Sequence, residues 1–195
     1  MPLSPEQIAG CWRQEYEKAP ATLARMSEIN TLAAAFNANV DSVVKISGAE
    51  LQRRIRQTGM TLAELKNDAD RSIRLPEDVL RGIFRCFTLG IAEEWIAQDK
   101  EIYRWMKKEL GTEKLQMGAQ AGIIANTMSL TGIGRVVTHV GALPELQARQ
   151  FFKRDNLLSF DQNGTLKPAH TVNRPNEEAS IHWIIEFDKD DRLEA

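Results

Sequence analysis

"INTLAAAFNANVDSVVKI", residues 29–46, is the stretch on which the fold class turns. Its first half is rich in Ala and Leu, which favour a helix intrinsically. Taken as two short helices across a tight turn, it meets the demands of a steep crossing. Ala33 is small enough for a second helix to cross it, Leu32 and Phe36 flank that point with apolar surface, and Val43 and Ile46 anchor the second helix. Asn37 falls in the turn, where positive φ must be tolerated, and Asn visits that region more readily than most non-Gly residues. This reading predicts positive φ at Asn37, burial of Val43 and Ile46, and outward-facing Asp41, Val44 and Lys45.

The pattern resembles the helix-turn-helix of Cro-like regulators. The resemblance implies DNA as the partner and a recognition helix that exposes Asn39, Val40, Asp41, Val44 and Lys45. Arg53, Arg54 and Arg56 follow in "AELQRRIRQ" and extend the cationic side of such a face. Lys66, Arg71 and Arg74 complete the local basic patch that phosphate contacts require. The plain alternative for residues 29–46 is a pair of core helices with no ligand.

A local patch is needed because the chain as a whole has no basic field: Lys and Arg number 25 against 27 Asp and Glu. With 195 residues, 43% hydrophobic and 27% charged, the composition is that of a globular domain, with or without an appendage. Cys11 and Cys86 lie far apart in helical contexts, which predicts free thiols and a reducing compartment. "MPLSPEQIAG" has neither a basic nor an apolar leader, so a cytoplasmic location is expected.

Helix signals recur along the first 155 residues. Ser4, Pro5 and Gln7 form a capping-box start for a helix to about Lys18, and Pro20 restarts the chain into a second helix ending at Phe36. A short helix over 40–47 is expected, then one broken at Gly59, and Thr61 caps "LAELKNDA". From Pro76 the apolar residues Leu80, Phe84, Phe87, Ile91, Trp95, Ile102, Met106 and Leu110 step by threes and fours, apart from a polar slot at Gln98–Asp99. This stripe predicts one long central helix, or two with a joint at that slot, ending at Gly111, with Phe84, Phe87, Ile91 and Trp95 buried.

Residues 115–134 carry no charge, a length that would suit a membrane span. Gln116, Gln120, Asn126, Thr127, Ser129 and Thr131 are costly to desolvate, so a buried helix packed closely at Gly118 and Gly122 is the preferred reading. After Asp155 the texture turns to strands. Asn163–Gly164 marks a hairpin turn between "LLSF" and "TLKP", and "IHWIIEF" is strand-like.

Few residues invite chemistry. Arg135 and His139, four apart beside several glycines, are the weak catalytic candidates, since on a helix they would share a face. His170 and His182 fit no metal spacing, and Ser42 with Lys45 forms a Ser-x-x-Lys without the companion motifs of acylating enzymes. Glu186, Asp188, Asp190 and Asp191 read as a solvated turn. No phosphate loop and no dinucleotide fingerprint is found. The expectation is therefore a mainly α-helical domain over 1–155 with a small β appendage over 156–195, in which the chain stops short of a full second hairpin. Its expected function is DNA binding through Asn39, Asp41, Val44, Lys45, Arg53, Arg54 and Arg56, with no cofactor or metal. The alternative is an effector or toxin-type domain acting on a membrane or another protein through 115–134. A protein partner or a homodimer is the secondary expectation for binding.

Overall fold

The computed structural model describes residues 2–66, 72–97, 100–110, 114–188 and 190–193. These residues form an α/β fold, which overturns the mainly helical expectation. Residues 29–46 hold two strands and no helix. Thr31–Phe36 is strand β1 and Asn39–Lys45 is strand β2. In β1 the side chains alternate across a sheet, with Ala34 buried and its neighbours Ala33 and Ala35 exposed. Intrinsic helix preference is worth under about 1 kcal/mol per residue, and strand pairing with a distant segment overrides it.

The chain divides into two compact units. The first comprises residues 1–40 and 116–181. Its sheet has the order β1-β6-β7-β8, with β6 spanning Arg135–Val140, β7 Leu157–Phe160 and β8 Leu166–Pro168. β1, β6 and β7 run parallel, in a register that sets Thr31 against Arg135, Phe36 against Val140, and Val136 against Leu157. β8 closes the edge antiparallel to β7, through the hairpin expected at Asn163–Gly164, where Gly164 takes φ 75°.

Ala34, Val136, Val140 and Leu157 project from one face of this sheet into a core. Helix α6 (Gln120–Met128) covers that face with Ala121 and Ala125, joined by Leu143, by Ala148 from the short helix α7 (Glu145–Ala148), and by Phe151. Helix α1 (Pro5–Ala24) begins with the Ser4–Gln7 capping box and runs on through Pro20, so Pro20 does not restart the chain.

The uncharged segment 115–134 is not one helix. Strand β5 (Lys114–Gly118) ends it on one side and α6 begins only after Ala119. Among the described residues no helix is long and apolar enough to cross a membrane. Gly118 precedes the helix, so only Gly122 makes a close helical approach. A Cβ on Gly122 would stand 2.8 Å from Met117 Cγ and 3.3 Å from Ala38 Cβ. Gly122→Leu is expected to cost about 1–3 kcal/mol by overpacking; a denaturation midpoint equal to wild type would refute that packing.

The second unit comprises residues 41–115 and 182–195. Its helices are α2 (Gly48–Thr58), α3 (Leu62–Leu65), α4 (Pro76–Leu89) and α5 (Lys100–Glu109), with a parallel pair of two-residue strands, β3 (Ser72–Ile73) and β4 (Ile96–Ala97). The expected long helix over 76–110 is two helices. Gly90, at φ 63°, caps α4 well before the Gln98–Asp99 joint, which lies outside the described residues, as do Gly111 and Arg71. Leu80 and Phe84 are buried with Leu51, Ile83, Ile102 and Met106, whereas Phe87 and Trp95 are half-buried and Ile91 is exposed, because α4 has ended before it. The caps at Thr61 and Gly59 form as the sequence predicts. β2, β5 and β9 (Ile181–Glu186) make a three-stranded sheet in the order β5-β2-β9.

One carboxylate of the β7–β8 hairpin is held ionised well below the ordinary carboxylate range. Asp161 accepts hydrogen bonds from the Asn163 and Thr165 amides and pairs with Lys167 at 2.8 Å. Lys167 first, then the Thr165 amide, lower its pKa from 3.8 to about 2. A depressed carboxylate stabilises above its unfolded value, so this contribution is complete above about pH 4 and is lost as pH falls through about 2. Asp161→Asn is expected to flatten the acid limb of the stability profile in that window, read by denaturant titration at several pH values.

Candidate functional site

In open α/β sheets, ligands bind beyond the carboxyl ends of parallel strands. In the first unit those ends are Phe36 of β1, Val140 of β6 and Phe160 of β7. The backbone there is unusual. Phe36 takes φ 74° and Ala119 takes φ 57°, the two positive-φ non-glycine residues among those described. Such conformations cost on the order of 1–3 kcal/mol each and cluster at functional sites.

Each strained residue precedes a side-chain amide. Asn37 follows Phe36 and Gln120 follows Ala119, and the Asn37 Nδ2 group donates to Gln120 Oε1 at 2.9 Å. The backbone ties the same two segments: the Ala121 amide donates to the Asn37 carbonyl at 3.0 Å. Both side chains are exposed. Their mutual bond leaves Asn37 Oδ1 as an acceptor and Gln120 Nε2 as a donor. That pairing matches the donor–acceptor character of neighbouring hydroxyl groups, without charge. Gln120 is also the first residue of α6, whose N-terminus adds a positive dipole end.

Buried polar side chains hold the segment from behind. Gln147, fully buried on α7, donates from Nε2 to the Ala38 carbonyl at 3.0 Å. Buried Asn126 on α6 donates to the Gln150 carbonyl and accepts from the Phe152 amide, which locks the far end of that helix. His139 sits edge-on to Phe36 at 6.0 Å and to Phe160 at 6.2 Å between ring centroids.

The residues singled out from the sequence are dispersed differently. Asn37 lies at the site, but its φ is not positive; the strain falls on Phe36 instead. Asn39 is buried, and Asp41 and Val44 are half-buried along β2, so none of them stands on an exposed recognition helix. Ile46 is buried as expected, while Val43 is only half-buried. Lys45 pairs with Asp188 at 2.9 Å. Arg53 and Arg54 both bind Glu50 on α2, and Arg54 also donates to the Glu109 carbonyl; Arg56 is exposed on the same helix. Arg135 and His139 share a face of β6, but four residues along a strand span about 13 Å. Arg135 instead donates to Thr31 Oγ1 at 3.3 Å. Asp191 accepts from the Gly48 amide at 2.8 Å, and among the described residues no three His, Cys, Asp or Glu side chains gather as metal ligands. Gln120 was overlooked as a site residue. A strand ending in a small-residue turn before a helix start, "MGAQAG", is the local signal that marks it.

A parallel sheet with paired amides at its carboxyl edge places the chain among α/β proteins, with a candidate site for a small polar ligand at the strand ends. The conserved region of ADP-specific phosphofructokinase/glucokinase matches residues 30–195, and the chain belongs to that family. It is 32% identical over 158 residues to the ADP-specific phosphofructokinase of Pyrococcus abyssi, a match covering 80% of this chain and 35% of that one. It is 30% identical over 179 residues to the ADP-dependent glucose/glucosamine kinase of the same organism, covering 90% and 38%. The structure of the last common ancestor of ADP-dependent phosphofructokinases from Methanosarcinales superposes with a TM-score of 0.70 at 27% identity, over 92% of this chain and 38% of that one. An ADP-dependent kinase in complex with fructose-6-phosphate and ADPβS superposes with a TM-score of 0.65 at 25% identity, over 97% and 36%. The chain thus spans little more than a third of the length of these relatives. Membership in a family of metabolic kinases overturns the DNA-binding regulator, the DNA partner and the effector alternative together.

Proposed function

We propose that this chain supplies the sugar-binding part of a cytoplasmic ADP-dependent hexose or hexose-phosphate kinase. The observation that carries this is the Asn37–Gln120 amide pair, held between two strained residues at the carboxyl edge of the parallel sheet. Neutral amides in a fixed relative geometry recognise hydroxyls by direction, and they leave the nucleophilic hydroxyl of the sugar uncharged until transfer. The reaction moves the terminal phosphoryl group of ADP to a sugar hydroxyl and releases AMP. Its catalysis rests on positioning and on stabilising charge at the phosphoryl oxygens. The residues described here serve the positioning.

Binding of glucose, glucosamine and fructose 6-phosphate to the 195-residue protein, followed by calorimetry, tests this reading. At least one of them is expected to bind. Asn37→Ala and Gln120→Ala should each weaken it by roughly 5- to 100-fold, the equivalent of about 1–3 kcal/mol for a polar group left unpaired. No binding by any of the three sugars, or binding untouched by both substitutions, would sink the assignment.

A further inference from the structure

Between β1 and β2 the chain makes a turn that its own residues do not favour. The Asn37 amide donates to the Ala35 carbonyl at 3.1 Å, and Phe36 between them takes φ 74°. This is the γ-turn of positive φ, the rare and strained form. Phe36 is 79% exposed, so burial of its ring does not impose the conformation. Strained backbone of this kind persists where the surrounding structure over-determines it.

Two carbonyls of the turn are tied from outside. The Ala121 amide donates to the Asn37 carbonyl at 3.0 Å; it lies in the first turn of α6, where helix geometry offers it no partner. Gln147 donates from Nε2 to the next carbonyl, that of Ala38, also at 3.0 Å. Gln147 is not explained by stability. It is fully buried, and its neighbour Ala148 packs in the core with Val136, Val140 and Leu157. Among the described residues nothing donates to its Oε1. An unmatched buried acceptor costs more than one neutral hydrogen bond contributes, so stability alone favours an apolar side chain of the same length. What the glutamine adds is position: a donor on a helix anchored to the sheet, aimed at the carbonyl beside Asn37. We infer that Gln147 is a positioning residue, which holds the strained turn at Phe36 and so keeps Asn37 where it pairs with Gln120. It acts through the Ala38 carbonyl, and the inference rests on the sugar-binding reading of that pair. A turn that relaxes part of the time lowers apparent affinity by the fraction still in the bound geometry.

Gln147→Met tests it, because methionine keeps the unbranched length and removes the donor. The ligand is whichever of glucose, glucosamine and fructose 6-phosphate the wild-type 195-residue protein binds most tightly. Its affinity should fall by about 3- to 10-fold, the range of one neutral hydrogen bond, while the denaturation midpoint stays equal or rises. The Ala121 amide should exchange its hydrogen faster by a similar factor. The Val136 amide, bonded to the Asn156 carbonyl in the core, should not change. Phe36→Gly supplies a rescue: glycine takes positive φ without strain, so in that background Gln147→Met should cost less than about twofold. A glutamine that merely fills the core predicts no such coupling. Equal affinity or unchanged Ala121 exchange in Gln147→Met overturns the inference. So does a loss of affinity that Phe36→Gly does not reduce, or a loss of cooperative melting. A wild type that binds none of the three sugars defeats the sugar-binding reading and this inference with it. Wild-type binding left untouched by Gln147→Met defeats the inference alone.

Discussion

Leu157→Ala lowers the stability of the first unit by about 2–5 kcal/mol, the cost of a buried Leu truncation with its residual cavity. Leu157 is fully buried on β7, an interior strand of the four-stranded sheet, paired with Val136 and packed among Val140, Leu143 and Phe151. Close packing leaves little for the neighbours to collapse into. Each kcal/mol corresponds to a shift of roughly 2–4 °C in a protein of this size. A thermal melt followed by circular dichroism reads it directly, and a melting temperature within a degree of wild type would mean that β7 does not sit at the core. The same truncation at Leu166, a partly exposed residue on the edge strand β8, is expected to cost far less.

Ala119→Gly acts in the opposite direction. With φ 57° and ψ 160°, Ala119 occupies a region that is populated almost only by glycine. Removing its Cβ relieves strain on the order of 1–3 kcal/mol, against roughly 0.5–1 kcal/mol for the greater freedom of glycine in the unfolded chain. A net gain of about 1–2 kcal/mol is expected, visible as a higher denaturant midpoint with unchanged slope. A lower midpoint would show that the Ala119 methyl makes a contact worth more than the strain. The position bears on the proposed sugar site because Ala119 directly precedes Gln120, which pairs with Asn37. If the strain serves to hold that pair, the more stable variant binds sugar less tightly.

Local chemistry was legible from the residues themselves. The Ser4 and Thr61 caps, the stop at Gly59 and the Asn163–Gly164 turn each depend on atoms within a few positions of one another, and all four form. The apolar stripe after Pro76 did report the core through Leu80 and Phe84. It failed at Ile91, because spacing by threes and fours persisted beyond Gly90, where the helix ends. Asn37 drew notice as a turn residue, though for a φ that belongs to Phe36.

What the sequence by itself determined about this protein is therefore part of its punctuation: where several helices start, where one of them stops at Gly59, and where one hairpin turns. Whether residues 29–46 were helices or strands was decided only by tertiary structure. Their apolar residues suit a 3.6-residue period as well as a two-residue one, and the partner that settles the matter lies 104 positions away, where Thr31 meets Arg135. The site depends on distance in the same way. Asn37 and Gln120, 83 positions apart, become one hydrogen-bonded pair only because β1 and the start of α6 are brought to the same edge of the sheet. Pairing energy between remote segments is invisible in local propensity, which differs by less than about 1 kcal/mol per residue between the competing conformations.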